Sequence, residues 1–467
     1  MAAEPAGDRS LNDFSDHLLL HIFSFLLPVD TLLAAPVCRK WRTLLPSLPH
    51  LNFDYSLFPP SPTPSATRFR FAAFLDLSTL RRPPVSLSTL RFQFDFRDHL
   101  HSRQIDSWIR HAVDHGVTKI DADFYIGHDY QVVIAPDGVN YAYNECCFTF
   151  HFNSIRNSRV RVLKLCRCFV VLPLGVSTSP SFRSVQSLYL EKISLTDDLV
   201  SGLISACANL ESLVLKYCYS MKDLRIHSTR LKRLSLLYFR SLCEEESSVE
   251  VCAPNLFSFR IVCFEMGRYS LEGMTGLVEA YVEFMHEEKH YKYWSKVVRL
   301  LGGVKHLVVQ NWWFRLHSSM EISSENLVFN NLTSLELQTG YTSYDLLGIA
   351  ALLECSPNLQ LLTVNDLFKI DEDVSFLSSF TNIAVGCKHS EKETLSEEIL
   401  NRPIKFSIPS LRQVKMKSFA ASLLQLNFVN LLIRQRVVLE KITAVEENGQ
   451  NSAADTTSIL EEFTLFD

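Results

Sequence analysis

Residues Val185 to Leu215 read "VQSLYLEKISLTDDLVSGLISACANLESLVL", and the stretch begins and ends with the same six-residue pattern, apolar-x-x-apolar-x-apolar. Alternation at the fourth and sixth positions turns one face of a short strand inward, and the first position fills the core from the turn before it. Between the two copies, Thr196 is placed to cap a helix, Leu199, Leu203 and Ile204 share one of its faces, and Asn209 suits its end. One strand and one return helix cannot bury an apolar face alone, so neighbouring units must stack.

The hexad recurs along the chain, starting at Val160, Val185, Leu210, Leu231, Leu256, Leu277, Val304, Leu332, Leu359 and Leu411. Successive starts from Val160 to Leu359 lie between 21 and 28 residues apart, and the last step of 52 leaves room for about two units. Weaker copies begin at Leu48, Leu87 and Val117, and "SYDLLGIAALLECSPN" before Leu359 repeats the return helix. A period in the twenties with this pattern resembles the leucine-rich repeat, which implies an α/β solenoid, a horseshoe with a parallel sheet, over residues 47–385. The proline-rich "DYSLFPPSPTPSAT" (54–67) is expected to be a loop joining an N-terminal module to the repeats. Residues 386–403 read as a charged connector, and 447–467 as a polar tail.

The 467-residue chain is 47% hydrophobic and 21% charged, the balance of a folded protein with little extended disorder. Its net charge of −5 offers no basic field to a phosphate backbone, so nucleic acid is not expected as the principal partner. The 12 cysteines are scattered without a Cys-x-x-Cys pair, which points to reduced, buried thiols and an intracellular compartment. The opening "MAAEPAGDRS" lacks the basic region of a secretory signal. The apolar run from Leu18 is broken by His21, Pro28 and Asp30, short of the ~20 residues a membrane span needs. A cytoplasmic or nuclear protein is expected.

That run, "LLLHIFSFLLPVDTLLAAPVCRKWRTLL" (18–45), is too apolar for a short module to enclose. Helical spacing groups Leu19, Ile22, Phe23 and Leu26 on one face, with Leu18 and Phe25 facing elsewhere. Asp30 can cap the next turn, and Pro36 suits the first position of a third helix whose anchor is Trp41. Three short helices with surplus apolar surface resemble the F-box. Asp16, Leu18, Leu19, Ile22, Phe23, Leu26, Val37, Cys38, Arg39, Trp41 and Arg42 match its motif in type and order, within a module spanning residues 8–46. Phe14-Ser15 replaces the family's Leu-Pro pair and Pro36 replaces a small polar residue, which is expected to weaken docking without abolishing it. The region 404–446, with "IPSLRQVKMKSFAASLLQLNFVNLLIRQRVVLEKITAV" from Ile408, resembles the FBD domain of plant F-box proteins: a strand, a turn at Phe419, an apolar helix, and "LEKI" leading into a strand.

Together these features resemble the plant F-box/LRR/FBD family. The resemblance implies a non-catalytic substrate-recognition subunit of a Skp-cullin-F-box ubiquitin ligase that needs no cofactor or metal. Phe14, Ser15, Leu18, Leu19, Ile22, Phe23, Leu26, Val37 and Trp41 would bind the Skp adaptor, and through it a cullin, while the repeats hold a target protein. The other reading is a leucine-rich-repeat scaffold whose degenerate F-box does not enter a ligase. Strand alternation puts Lys164, Tyr189, Glu191, Val214, Lys216, Arg233, Arg260, Tyr281 and Glu283 outside the core on the concave face. Of these, Tyr189, Arg233, Arg260 and Tyr281 are of the residue types that dominate interfaces, and are the expected target-binding residues.

One further motif competes. His286-Glu287-Glu288-Lys289-His290 fits the zinc-protease pattern H-E-x-x-H, with His306 as a possible third ligand. The charged middle pair Glu288-Lys289 and the place of His306 within the hexad from Val304 favour a solvated helix start instead.

Overall fold

The computed structural model describes residues 11–26, 30, 37–80, 86–97, 99–124, 147–173, 182–239, 248–263, 268–271, 273–284, 301–310, 328–339, 349–350, 352–366, 408–417, 419, 423–434 and 441–445. The chain divides into two compact units, Met1–Leu231 and Lys232–Asp467. No helix among the described residues is long and apolar enough to cross a membrane.

In the first unit the strands are β1 (His50–Asp54), β2 (Thr89–Gln93), β3 (Lys119–Asp123), β4 (Thr149–His151), β5 (Val162–Cys166), β6 (Phe169–Val171), β7 (Ser187–Glu191), β8 (Ser212–Lys216) and β9 (Asp223–His227). The ladder runs β1-β2-β3-β5-β7-β8, parallel at every step, and β4 pairs with β6 beside it. Register keeps equivalent hexad positions opposite one another: Leu90, Ile120, Leu163, Leu188 and Leu213 form one inward column, and Phe92, Ala122, Leu165, Leu190 and Leu215 a second. Val117, Val160, Val185 and Leu210, the first hexad positions, are buried with them. A one-residue slip would turn both columns to solvent, so the alternation itself enforces the register. Fully burying each leucine or valine contributes about 1.5–3 kcal/mol.

The second unit repeats the scheme. Its strands are β10 (Arg233–Phe239), β11 (Ser248–Cys252), β12 (Ser258–Cys263), β13 (Arg268–Ser270), β14 (Glu279–Phe284), β15 (His306–Gln310), β16 (Ser334–Thr339), β17 (Leu361–Asp366), β18 (Gln413–Lys417) and β19 (Lys441–Val445). The parallel ladder runs β10-β12-β14-β15-β16-β17-β18-β19, with β11 and β13 paired apart from it. The columns are Leu234, Phe259, Ala280, Leu307, Leu335, Leu362, Val414 and Leu236, Ile261, Val282, Val309, Leu337, Val364, Met416, all buried. Every hexad read from the sequence has thus become a strand, in the α/β leucine-rich-repeat arrangement expected. Around β18, the order strand, helix (Leu423–Arg434), strand matches the reading of residues 404–446, and β18 and β19 extend the same ladder.

Three local expectations change. The proline-rich segment is only partly a loop, because Pro64 opens a helix that runs to Leu80 and buries Thr67, Arg68, Phe71, Phe74 and Leu75. A proline is well tolerated at a helix start, where its missing N–H has no intrahelical partner to lose, and the Thr63 Oγ1 accepts from the Ala66 N–H at 3.2 Å there. The Phe71 and Phe74 rings then join Phe53 and Phe94 in an aromatic core that hexad spacing does not announce. In the helix Asp197–Ala206, Thr196 does cap the start, accepting from Leu199 N–H at 3.2 Å, but Val200 replaces Leu199 in the buried face with Leu203 and Ile204. Asn209 does not end that helix; its Nδ2 donates to the Arg183 carbonyl at 2.8 Å.

Asn358 donates likewise to the Asn330 carbonyl (2.8 Å) and Asn331 to the Gly303 carbonyl (3.4 Å), so asparagines just before a hexad bind the turn one repeat earlier. A second recurring feature sits at the carboxyl ends of the strands, just past β5, β7 and β8 and at the irregularity within β10. Arg167, Lys192, Tyr217 and Tyr238, each seven residues after a hexad start, take the left-handed conformation with φ of 57°, 54°, 53° and 53°. L residues enter that region at roughly 1–2 kcal/mol, and four successive repeats nevertheless place long side chains there. The connector 386–403 and the tail 447–467 lie outside the described residues.

Candidate functional site

The N-terminal module is built by its caps. Ser15 precedes the helix Asp16–Phe23, and its Oγ accepts from the Leu18 N–H at 3.3 Å. Cys38 caps the helix Arg39–Leu44, its Sγ accepting from the Trp41 N–H at 3.4 Å. The Lys40 ammonium donates to the Phe14 carbonyl at 2.7 Å and stands 3.3 Å from the Asp16 carboxylate, fastening the start of one helix to the other. Leu19, Phe23, Leu45 and Leu48 form the module's core, with Ile22 and Trp41 packed against it and the Phe23 and Trp41 rings edge to face at 5.0 Å.

Leu19 and Phe23 were expected on the receiving surface, and this is corrected: one helical turn apart, they share the face that closes on the module's own core. Of the expected set, Phe14, Leu18 and Leu26 keep 38–39% of their surface and Val37 keeps 63%. Phe25, which helical spacing set apart from Leu26, is 77% exposed. The helix ends at Phe23, so Phe25 and Leu26 follow a turn rather than the wheel, and both stand in solvent. Asp30 is exposed, whereas Thr31 to Pro36 lie outside the described residues.

On the outward strand face of the first unit, Lys164 lies opposite Tyr189 in register, and Tyr189 opposite Val214. The Lys164 ammonium is 5.2 Å from the centre of the Tyr189 ring, and the Tyr189 hydroxyl donates to Glu191 at 2.7 Å. Burial, then the Glu191 carboxylate, raise the Tyr189 hydroxyl far above its ordinary range, so the phenol stays a donor. Lys216 stands 3.6 Å from Glu191. In the second unit Arg260 faces Tyr281 in register, and the Tyr281 hydroxyl donates to Glu283 while accepting from Gln338 Nε2 at 3.2 Å. Burial and Glu283 raise that phenol too. Arg233 and Arg260 are exposed, while Tyr189 and Tyr281 are half-buried and already engaged. Tyr189 belongs to the first unit and the other three expected target-binding residues to the second.

His286, Glu287 and His290 lie outside the described residues, and His306 is exposed at the start of β15. Among the described residues no group of three His, Cys, Asp or Glu side chains is placed to hold a metal ion.

Two parts of the chain match known protein families. Residues 84–458 match the family model described as At1g61320/AtMIF1, LRR domain, and residues 16–49 match the F-box-like model. The chain is 28% identical over 377 residues to F-box/FBD/LRR-repeat protein At2g04230 of Arabidopsis thaliana, covering 78% of this chain and 76% of that protein. It is similar also to F-box/FBD/LRR-repeat protein At5g56420 of the same plant, 26% identical over 357 residues, 75% of this chain and 76% of the relative.

Proposed function

This chain belongs to the F-box/leucine-rich-repeat family, and on that premise we propose that it is the target-recognition subunit of a Skp-cullin-F-box ubiquitin ligase. The observation that carries the reading is the apolar surface left by Phe14, Leu18, Phe25, Leu26 and Val37 on a module whose core is already closed. Exposed large apolar side chains in such number on so small a module favour a place for a partner, here the Skp adaptor. Ser15 and Trp41 serve that surface indirectly, by starting one helix and seating the other. The repeats hold the target through their outward strand face, with Tyr189, Arg233, Arg260 and Tyr281 as contacts, and residues 404–446 form an FBD-like end of the same ladder. The chain does no chemistry itself. Tethering raises the effective concentration of the target's lysines beside the ubiquitin-charged enzyme.

The test is co-purification with the Skp adaptor. Replacing Leu18 and Phe25 together by Asp should cut recovery about thirtyfold or more, as loss of a central apolar anchor worth ~2 kcal/mol does, with the helical spectrum unchanged. Equal recovery of the adaptor by the wild type and the double variant would reject the ligase and favour a scaffold.

A further inference from the structure

At the carboxyl end of the strands in the first unit a concavity of about 280 Å³ opens between Arg91, Asp121, Lys164, Tyr189, Glu191 and Lys192. Its charges are unevenly matched. Asp123, also in the lining, accepts from Arg167 Nε at 3.0 Å and from Arg167 Nη2. Glu191 accepts the Tyr189 hydroxyl and faces Lys216, and Asp121 faces Arg91 at 3.9 Å. All three carboxylates are therefore engaged. Lys164, by contrast, has no carboxylate within ion-pair reach among the described residues and rests its ammonium over the Tyr189 ring. Arg91 stands 3.9 Å from Asp121, beyond hydrogen-bond distance, and leaves 57% of its side chain in solvent.

The backbone gives a second, independent sign. Arg167 and Lys192, which line the concavity, are two of the left-handed residues at the carboxyl ends of the strands. Glycine would take that conformation without strain, whereas these two positions carry a guanidinium fixed on Asp123 and an ammonium 5.7 Å from the centre of the Tyr217 ring.

From the cation Lys164 left without a carboxylate and the two left-handed cationic residues in the lining we propose that the concavity receives an acidic side chain, Asp or Glu, from an extended segment of the target protein. Arg91 and Lys164 pair with the carboxylate, and Lys192, its ammonium 5.7 Å from the centre of the Tyr217 ring, adds positive charge beside them. The register sets Asp121 between Arg91 and Lys164, so a doubly charged phosphate meets about twice the repulsion from that fixed anion that a singly charged carboxylate does. The assignment rests on the reading of the repeats as the target-binding part.

Fluorescence anisotropy of the full chain, with and without the Skp adaptor, tests it. The probes are a labelled peptide alternating Glu-Glu with Gly, its Gln counterpart, and a version with phosphoserine for Glu. The Glu peptide should bind at least tenfold tighter than the Gln peptide, and Lys164→Glu and Lys192→Gly should each weaken it about tenfold. Lys192→Gly is the sharper variant, since glycine relieves the φ of 54° and the protein should melt no lower than wild type. Equal affinity for the Glu and Gln peptides, or unchanged binding by both variants, overturns the proposal, and so does tighter binding of the phosphoserine peptide. Adaptor recovery from the same samples separates the two readings. Acidic-peptide binding without adaptor binding keeps the pocket and rejects the ligase; adaptor binding without peptide discrimination does the reverse.

Discussion

The Arg260 guanidinium lies 4.2 Å from the centre of the Tyr281 ring, held there by the in-register pairing of β12 with β14. Lys164 covers Tyr189 in the same way one strand before it, and in both places the tyrosine hydroxyl reaches a glutamate two residues along its own strand. A cation, a ring and a carboxylate thus form one unit that occurs in each half of the chain. Within each unit it makes that part of the outward strand face a linked polar cluster rather than a set of independent solvated side chains.

Removing parts of that unit should have graded effects. Tyr281→Phe takes a hydroxyl donor from the buried Glu283 carboxylate and should lower stability by about 1–3 kcal/mol in urea unfolding. Arg260→Ala, at an exposed cation, should cost about 0.5–1 kcal/mol. If Arg260→Ala proves the more damaging of the two, the hydroxyl–carboxylate bond is not the centre of the unit.

The same phenols predict an alkaline response. Folding holds the Tyr189 and Tyr281 protons more tightly than the unfolded chain does, whose tyrosines titrate near pH 10. Their contribution is fully present below that pH and is lost as pH rises through their raised folded values. Urea midpoints from pH 8 upward should therefore fall beyond about pH 10, less steeply in the Tyr189→Phe, Tyr281→Phe double variant. Parallel curves for the two proteins would contradict this.

Within the N-terminal module, Leu19→Ala should destabilise by about 2–5 kcal/mol, the range for emptying a buried leucine site, and Ser15→Ala by about 1 kcal/mol through loss of its cap. Phe25→Asp should leave the module intact. Hydrogen exchange of the segment 15–26 reads all three: early exchange is expected for Leu19→Ala and unchanged protection for Phe25→Asp.

The asparagine ties between repeats should distinguish an amide from its isosteric acid. Asn358→Ala loses one hydrogen bond to the Asn330 carbonyl, about 1 kcal/mol, whereas Asn358→Asp sets an anion against that oxygen and should cost more. A thermal melt that ranks Asp at or above Ala would show that the tie does not hold the turn.

Cysteine labelling checks burial directly. Burial pushes the Cys207 and Cys218 thiols up to about 12, and the Cys218 Sγ also donates to the Leu190 carbonyl at 3.4 Å. Iodoacetamide at neutral pH should modify the exposed Cys252 in the native protein and reach Cys207 and Cys218 only after denaturation. Mass spectrometry finding Cys218 modified as fast as Cys252 would refute the packing of β8 and its following turn.

The sequence by itself determined the strands, their inward columns and their register, because alternation of apolar residues is local and the hexads from Leu48 to Leu411 carry it in phase. It also determined the caps at Ser15 and Thr196, which depend on the next three residues alone. Only the tertiary structure decided that Leu19 and Phe23 turn inward while Phe25 stands in solvent, since that depends on where Trp41, Leu45 and Leu48 return and on the helix ending at Phe23. It decided, too, that Pro64 opens a helix, that Val200 displaces Leu199 from a buried face, and that Arg167 closes on Asp123, 44 positions away. Periodicity says which side of an element is apolar, but the partner of each side is set by stacking between repeats, and charge and hydroxyl pairs form only where that stacking brings distant residues within about 3 Å.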